Sequence, residues 1–349
     1  MTLTASELQH TADGVPFLRT ADGAFAALDG YPFPPNHIDF EGLRLHFVDA
    51  GPRDGPVALL MHGMPTWSFL NRHIIHALTA RGWRCIAPDH IGFGRSDKVT
   101  DPAWYSIARH TRACRTLIET LDLSGITLFA QDWGGPTGLA QAAEMGERFH
   151  RLVIMNTWLP HDGYVYSPAI RNWADSWKPG GLYDTAVPER MSLGTIMMLA
   201  LGHLPMSAVA DLLATGRAPE LSPQALAVKR GYDAPHLGLD PGALAGPRRF
   251  PLSIPIDRPD DPTARDGARH FAALKGWTRP IHFIWGGQDR VFTPDWGRAW
   301  AGLYPQATFD LLPDAGHFPQ ETHGTQIADL VLGHVGAGAP LADLEGGTP

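Results

Sequence analysis

The sequence predicts an α/β fold in which an eight-stranded, mostly parallel sheet is flanked by helices and carries a helical insert. Short β-type apolar runs alternate with helical patterns along the first part of the chain, and this alternation implies a mainly parallel sheet. A long segment of different composition separates the sixth run from the seventh. The eight runs are, in chain order, HIDF, RLHFVDAG, VALLMHG, WRCIAPDH, ITLFAQD, RLVIMN, IHFIWGGQD and ATFDLLPDAGH.

The segment between the sixth and seventh predicted strands is rich in Pro and Gly, contains Trp and Met, and is helical where it is periodic. We predict a core formed by residues 1–158 and 276–336, and a helical cap over residues 159–275. The final stretch, GAGAPLADLEGGTP, consists mainly of small residues, so we predict a flexible tail over residues 337–349.

The longest apolar stretch, from Leu193 to Leu204, lies in the predicted cap and is well short of the roughly 20 residues that cross a bilayer. Its run TIMMLALGHL, with Met197 and Met198, suits either the roof of an apolar cavity or the cap's own core. The start, MTLTASELQHTADG, lacks the basic and apolar regions of a secretory signal. We therefore expect a soluble, cytoplasmic protein.

The composition excludes several classes of function. With 349 residues, of which 44% are hydrophobic and 18% charged, the chain can build a large core. A formal net charge of −8 argues against nucleic acid as a partner. The two cysteines, Cys85 and Cys114, lie in a strand-like and a helix-like pattern, so we expect no disulfide. No HExxH, paired CxxC or full GxGxxG pattern occurs, so we expect neither a metal nor an organic cofactor.

One strand-to-helix junction carries the pattern of a nucleophile elbow. The fifth predicted strand runs through Gln131 and Asp132 into Trp133, Gly134 and the next helix, which gives the order small, any, nucleophile, any, small. The carboxylate of Asp132 lies at the N-terminus of that helix, where the helix dipole and free amides stabilise negative charge. The alternative is a common helix-capping aspartate.

Two later residues complete the order nucleophile, acid, histidine. Asp289 follows the seventh predicted strand, and His317 follows the eighth in the segment DAGHFPQE. Since the carboxyl ends of parallel strands meet at one edge of a sheet, we expect both side chains to lie close to Asp132. Taken singly, Asp289 could cap a loop, and His317 could be a surface histidine, since the chain has 17 histidines.

The loop after the third predicted strand, HGMPTWSFLNR, supplies a partner for the elbow. Its backbone amide at Met64 and the amide of Trp133 are predicted to form an oxyanion hole. His62 is better interpreted as a hydrogen-bonded structural histidine than as a catalytic group.

Four segments together resemble the haloalkane dehalogenases of the α/β-hydrolase superfamily: HGMPTWSFL, APDHIGFGRSDK, QDWGGPTGL and DAGHFPQE. The resemblance extends from about Phe17 to about His334 and implies an α/β-hydrolase fold with a helical cap. It also implies that Asp132 is the nucleophile, His317 the base and Asp289 the acid that orients it. Trp133 would be one halide donor.

The sequence departs from that family at two places. Some members place the acid after the sixth strand, but Met155-Asn156-Thr157 contains no carboxylate, which favours Asp289. Many members use an asparagine of the third-strand loop as the second halide donor, where this chain has Met64. The resemblance then implies a cap tryptophan, with Trp173 as the best match and Trp177 as the rival. Either could instead be an aromatic anchor of the cap.

The resemblance implies hydrolytic dehalogenation of a small apolar haloalkane, with water and halide ion as the other small molecules. An ionised carboxylate attacks saturated carbon directly, and the resulting ester is hydrolysed with help from a base. Two alternatives stay open: an epoxide hydrolase using the same aspartate, or a small-molecule-binding homologue without catalysis. For the first, candidate tyrosines are Tyr164, Tyr166, Tyr183 and Tyr232. The sequence does not give the oligomeric state.

Overall fold

An eight-stranded sheet forms the centre of the protein. The computed structural model describes residues 7–187 and 189–337. The strands are β1 Asn36–Phe40, β2 Leu43–Ala50, β3 Val57–Met61, β4 Arg84–Pro88, β5 Ile126–Asp132, β6 Phe149–Thr157, β7 Ile281–Gly286 and β8 Thr308–Leu312. They lie in the order β8-β7-β6-β5-β3-β4-β2-β1, and only β2 runs antiparallel to its neighbours. The predicted mostly parallel eight-stranded sheet is thus confirmed.

Twelve α-helices accompany the sheet in the described part of the chain. They are α1 Arg72–Thr79, α2 Ile107–Thr120, α3 Ala140–Glu144, α4 Pro168–Trp177, α5 Leu182–Ala186, α6 Leu193–Ala200, α7 Met206–Thr215, α8 Pro223–Asp233, α9 Ala245–Leu252, α10 Pro262–Leu274, α11 Pro294–Ala301 and α12 Pro319–Ala337. A π-helical turn, Gly135–Leu139, leads into α3, and α12 is kinked at His323. Two further short strands near the N-terminus, Gln9–His10 and Pro16–Leu18, pair with each other, and the second also pairs with Lys98–Val99.

The central strands are buried on both faces, which explains their nearly continuous apolar sequences. Along β3, Leu59 belongs to one hydrophobic cluster and its neighbours Ala58 and Leu60 to the other. The same alternation occurs at Leu128 and Phe129 of β5. Successive side chains of a strand point to opposite faces, so each strand contributes to both layers of the core.

Six of the helices, α4 to α9, follow β6 within the predicted cap. The seventh, α10, also lies in the predicted cap range 159–275, but it packs on α3: His270 Nε2 lies 2.8 Å from a Glu144 oxygen. These contacts place α10 against the core and so favour a cap that ends before Pro262. The division into core and cap stays a prediction. Of the predicted tail, Ala337 ends α12, and residues 338–349 lie outside the described residues.

The apolar run of α6 contributes to two environments. Ile196 and Leu199 line a large cavity, whereas Met197 and Met198 are fully buried in a hydrophobic cluster with Tyr232. The methionines therefore pack within the protein, and their neighbours form the cavity wall. No helix in the described part of the chain is long and apolar enough to span a membrane. Cys85 and Cys114 are buried free thiols, as predicted.

A buried ion pair of the core is hydrogen-bonded to a tyrosine of the predicted cap. The guanidinium of Arg72 in α1 donates to both carboxylate oxygens of Glu321 in α12, at 2.7 and 2.5 Å. The hydroxyl of Tyr232, from α8, donates to the same carboxylate at 2.5 Å. Both charged side chains are about 95% buried, with exposures of 4% and 5%. Removing one partner leaves a buried charge without its counterion.

We expect Glu321→Ala to lower the free energy of unfolding by about 3–5 kcal/mol, because it strands the Arg72 guanidinium in the interior. The matched control is Asp329→Ala, which breaks an exposed pair with Arg81 between the end of α1 and the same helix α12 and should cost under about 1 kcal/mol. Urea unfolding of both variants measures the difference. Equal losses in the two variants would show that the buried pair has no special role.

Candidate active site

Asp132 lies at a sharp turn between β5 and the helix that follows. Its φ is 49°, in the left-handed region that a non-glycine residue rarely adopts. The Thr157 hydroxyl donates to the Asp132 carbonyl at 2.5 Å, from the neighbouring end of β6. The two residues after Trp133 have to be glycines. A Cβ at Gly134 would lie 2.8 Å from Met61, and a Cβ at Gly135 would lie 1.9 Å from Thr157. The predicted elbow is therefore present, and only its small residues permit it.

The loop after β3 meets the carboxylate of this turn. The Met64 amide donates to Asp132 Oδ1 at 2.8 Å, as an oxyanion-hole amide would. A Cβ at Gly63 would lie 2.0 Å from the same oxygen, so this position has to be glycine. His62 is fully buried: its Nδ1 lies 2.9 Å from the Gly63 carbonyl, and its Nε2 accepts from the His90 amide at 3.0 Å. It holds the loop in place, as the sequence predicted.

The structure brings the three predicted catalytic residues together. His317 Nε2 lies 3.5 Å from Asp132 Oδ2, and His317 Nδ1 lies 2.9 Å from Asp289 Oδ2. Asp289 is buried, and its Oδ1 accepts from the Val291 and Phe292 amides at 2.7 and 3.2 Å. Asp289 orients the imidazole through Nδ1, so the imidazole can act as a base through Nε2, which faces Asp132.

The sequence did not identify Asn156 as a member of this group. Its side-chain amide donates to Asp289 Oδ2 at 2.7 Å, and its Oδ1 accepts from the Gly286 amide at 3.0 Å. Asn156 thus fixes the acid in the position from which it orients His317. Asn156 lies at the end of β6, where some relatives place the catalytic acid, and this position was a possible signal in the sequence. An amide side chain there did not by itself indicate a hydrogen-bond partner for Asp289. Gln131 was also missed: its Nε2 donates to the His317 carbonyl at 2.9 Å.

The charges around His317 determine its protonation. Burial alone would lower the pKa of this imidazole, but Asp289 and Asp132 outweigh it and raise the pKa to about 10. At neutral pH the resting site therefore contains an imidazolium between two carboxylates. Conversion of Asp132 to a neutral ester would remove one of the two negative charges and so lower the pKa of His317. The histidine becomes available as a base at the stage that needs one.

The triad opens into a cavity with a volume of about 790 Å³. Asp132, Asp289 and His317 line it, together with Trp133 and Trp173. The remainder of the wall is mainly apolar and comes largely from α4, α5, α6 and the loops after β7 and β8. The apolar part of this wall can bind an apolar substrate next to the carboxylate.

The described residues contain no group of three or more His, Cys, Asp and Glu side chains that could hold a metal ion.

Comparison with known proteins gives the family. A family model of the α/β hydrolase fold matches residues 56–324. A haloalkane dehalogenase of Mycobacterium marinum is 36% identical over 90% of this chain and 98% of its own length, and one of Psychrobacter cryohalolentis is 35% identical over 90% and 96%. The solved structure of a haloalkane dehalogenase from Paraglaciecola agarilytica superimposes with a TM-score of 0.77, at 29% identity, over 91% of this chain and 98% of that one. The chain belongs to the haloalkane dehalogenase family of α/β hydrolases.

In this member of the haloalkane dehalogenase family, the two cap tryptophans, Trp173 and Trp177, have different surroundings. Trp173 is half-buried and lines the cavity. Trp177 is 1% exposed, does not line the cavity, and its indole N–H has no hydrogen-bond partner among the described residues. The two rings meet edge to face, with centroids 5.7 Å apart. Trp177 therefore packs behind Trp173.

The tyrosines suggested for epoxide chemistry are also dispersed. Of the four, all within the described residues, Tyr183 alone lines the cavity. Tyr232 is bound to Glu321, and Tyr164 and Tyr166 pack against each other with ring centroids 4.9 Å apart. A site with one phenol among its lining residues does not favour the epoxide alternative over dehalogenation.

We expect Asp132→Asn to lower the pKa of His317 below its value of about 10, because one of the two carboxylates that raise it becomes a neutral amide. NMR titration of the His317 imidazole measures this shift. The control is Asp295→Asn, which neutralises a carboxylate whose side chain is 98% exposed and should leave the titration unchanged. An unchanged pKa in Asp132→Asn would contradict the electrostatic coupling described above.

Proposed function

We propose that the protein hydrolyses small haloalkanes to an alcohol and a halide ion through a covalent alkyl ester on Asp132. The observation that carries the proposal is the Asp132 carboxylate, which a strained turn presents to a mainly apolar cavity. His317 lies next to this carboxylate and is hydrogen-bonded to Asp289. Family membership supports the same reaction. A serine in this place would select acyl carbon, whereas a carboxylate attacks saturated carbon.

In the first step an Asp132 oxygen displaces halide from carbon. The Met64 amide holds Oδ1, which leaves Oδ2 as the attacking oxygen. The C–O bond forms as the carbon–halogen bond breaks, and the electron pair leaves with the halide. Indole N–H donors of Trp133 and Trp173 would stabilise this growing negative charge.

In the second step water hydrolyses the ester. Once Asp132 has lost its charge, the imidazolium of His317 releases its proton to solvent. The neutral imidazole then takes a proton from water, and the hydroxide attacks the carboxyl carbon of Asp132. The amides of Met64 and Trp133 would stabilise the oxyanion. The alcohol oxygen then leaves with the proton from His317. The carboxyl group left on Asp132 passes its remaining proton to the neutral imidazole, so Asp132 is restored as a carboxylate beside an imidazolium. Asp289 keeps the imidazole oriented and balances its positive charge throughout.

Trp173 is proposed as the second halide donor because it shares the cavity with Trp133 and Asp132. Met64 occupies the loop position from which many relatives donate a side-chain N–H, and a thioether has no such donor. Trp177 lies outside the cavity lining and supports Trp173 by ring contact.

The proposed cycle consumes only a haloalkane and water. The free thiols of Cys85 and Cys114 are compatible with a reducing compartment, and we propose the cytoplasm as the location.

We expect Asp132→Asn to abolish sustained bromide release from a bromoalkane, because a neutral amide does not attack carbon at a useful rate. The matched control, Asp295→Asn, neutralises an exposed carboxylate and should retain activity. Peptide mass analysis must show that the amide has not reverted to aspartate. Substantial turnover by verified Asp132→Asn protein would exclude this residue as the nucleophile.

His317→Phe should complete the displacement but not the hydrolysis, because it removes the base and retains an aromatic ring. The alkylated Asp132 peptide should accumulate to about one equivalent per protein, as measured by mass spectrometry. Halide release without any modified peptide would contradict this division between the two residues.

Trp173→Phe should lower the rate of displacement roughly 100- to 1000-fold, since it deletes an N–H aimed at transition-state charge and keeps the aromatic bulk. Trp177→Phe makes the same chemical change outside the cavity lining and should have a much smaller effect on displacement. Single-turnover bromide release compares the two variants. A larger loss in Trp177→Phe would reverse the assignment.

A further inference from the structure

The cavity continues from the buried nucleophile to the protein surface. At its inner end, Asp132, Trp133 and Phe292 are at most 7% exposed. At its outer end, Leu182 is 40% exposed and Met206 is 56% exposed, and both still line the same space. A continuous apolar wall of this kind can contact a substrate along its length and not only at the reacting carbon.

The volume is large for a short haloalkane. Water takes up about 30 Å³ in the liquid, so a cavity of about 790 Å³ has room for roughly 25 water-sized groups. A two-carbon substrate would fill a small part of this space and would leave most of the apolar wall in contact with water. Each further methylene removes apolar surface from water and favours binding.

The rim of the cavity has two unlike sides. The cap contributes mainly exposed apolar residues, Leu182, Ala200 and Met206, together with the polar Asn172. The core contributes exposed polar residues from the turns after β7 and β8 and from α12, namely Gln288, Arg290, Asp314 and Thr322. A substrate end that reaches the rim meets hydrogen-bonding groups and solvent, whereas one that stops near Trp133 and Phe292 meets an apolar interior.

We propose that the preferred substrates are medium-length haloalkanes of about six carbons or more, and that the end away from the halogen accepts a polar, uncharged group. This inference rests on the proposed dehalogenation. The chain lies along the apolar wall with its halogen at Asp132, and its far end lies at the rim between the cap and the core.

The first test is a series of 1-bromoalkanes from bromoethane to bromooctane. We expect kcat/KM for bromide release to rise by about two- to fourfold for each added methylene up to about six carbons, which is the gain from burying one methylene partly or fully. A value for bromoethane equal to or above that for bromohexane would overturn the proposal. Failure of every bromoalkane would instead overturn the dehalogenase function itself, so the two failures are distinguishable.

The second test compares the cost of a terminal hydroxyl at two chain lengths. In 3-bromopropan-1-ol the hydroxyl would be buried in the apolar interior, and kcat/KM should fall at least about tenfold relative to 1-bromopropane. In 8-bromooctan-1-ol the hydroxyl would reach the rim, and the loss relative to 1-bromooctane should be under about threefold. Equal losses for the two pairs would show that the far end does not lie at a polar rim.

The third test narrows the outer end of the cavity. Ala200→Trp places a large side chain at an exposed position of the wall and should lower the ratio of bromooctane to bromoethane kcat/KM at least about fivefold. Ala210→Trp makes the same change at an exposed position of α7 outside the cavity and should leave the ratio unchanged. Thermal unfolding checks that both variants fold. A further variant, Met206→Ala, shortens the apolar side of the rim and should also lower the ratio of bromooctane to bromoethane kcat/KM. An unchanged ratio in folded Ala200→Trp and Met206→Ala would contradict the proposed path of the substrate.

Discussion

The left-handed turn at Asp132 is the constraint on which the rest of the site depends. A positive φ at a non-glycine residue is unfavourable, so the surrounding structure has to hold it. Thr157 holds the Asp132 carbonyl, the Met64 amide holds the carboxylate, and glycines at 63, 134 and 135 leave room for the close approach. β3 and β6 flank β5 in the sheet, so both supports come from the neighbouring strand ends. The carboxylate is thereby fixed before any substrate arrives.

The second feature of the site is a balance of charge that changes during the reaction. In the resting protein two carboxylates raise the pKa of His317 to about 10, so the imidazole is protonated. Alkylation removes the charge of Asp132 and leaves Asp289, held by Asn156 and two backbone amides, as the remaining counterion. His317 is thus a protonated partner of the Asp132 carboxylate before displacement and a base after it.

Local patterns predicted the eight strands, and strand ends combined with family motifs predicted Asp132, Asp289 and His317, because a parallel sheet collects its strand ends at one edge. Asn156 and Thr157 were beyond that reasoning, since their roles depend on which strand lies beside β6 and on the bend at Asp132. The distinction between Trp173 and Trp177 also required the fold: the residues are one helical turn apart, and only the packing of α4 shows which of them lines the cavity. Likewise, the packing of α10 on α3 could not be read from its composition.

The central claim is that the alcohol takes its oxygen from Asp132 and that water reacts only with the ester. A single turnover in water enriched in oxygen-18, with protein in excess over a bromoalkane, tests it most directly. The covalent route predicts an alcohol that contains oxygen-16, and a label that appears in the Asp132 carboxylate on peptide mass analysis. Direct attack of water on the substrate would give a labelled alcohol in the first turnover and an unlabelled Asp132, and that result would contradict the proposed mechanism.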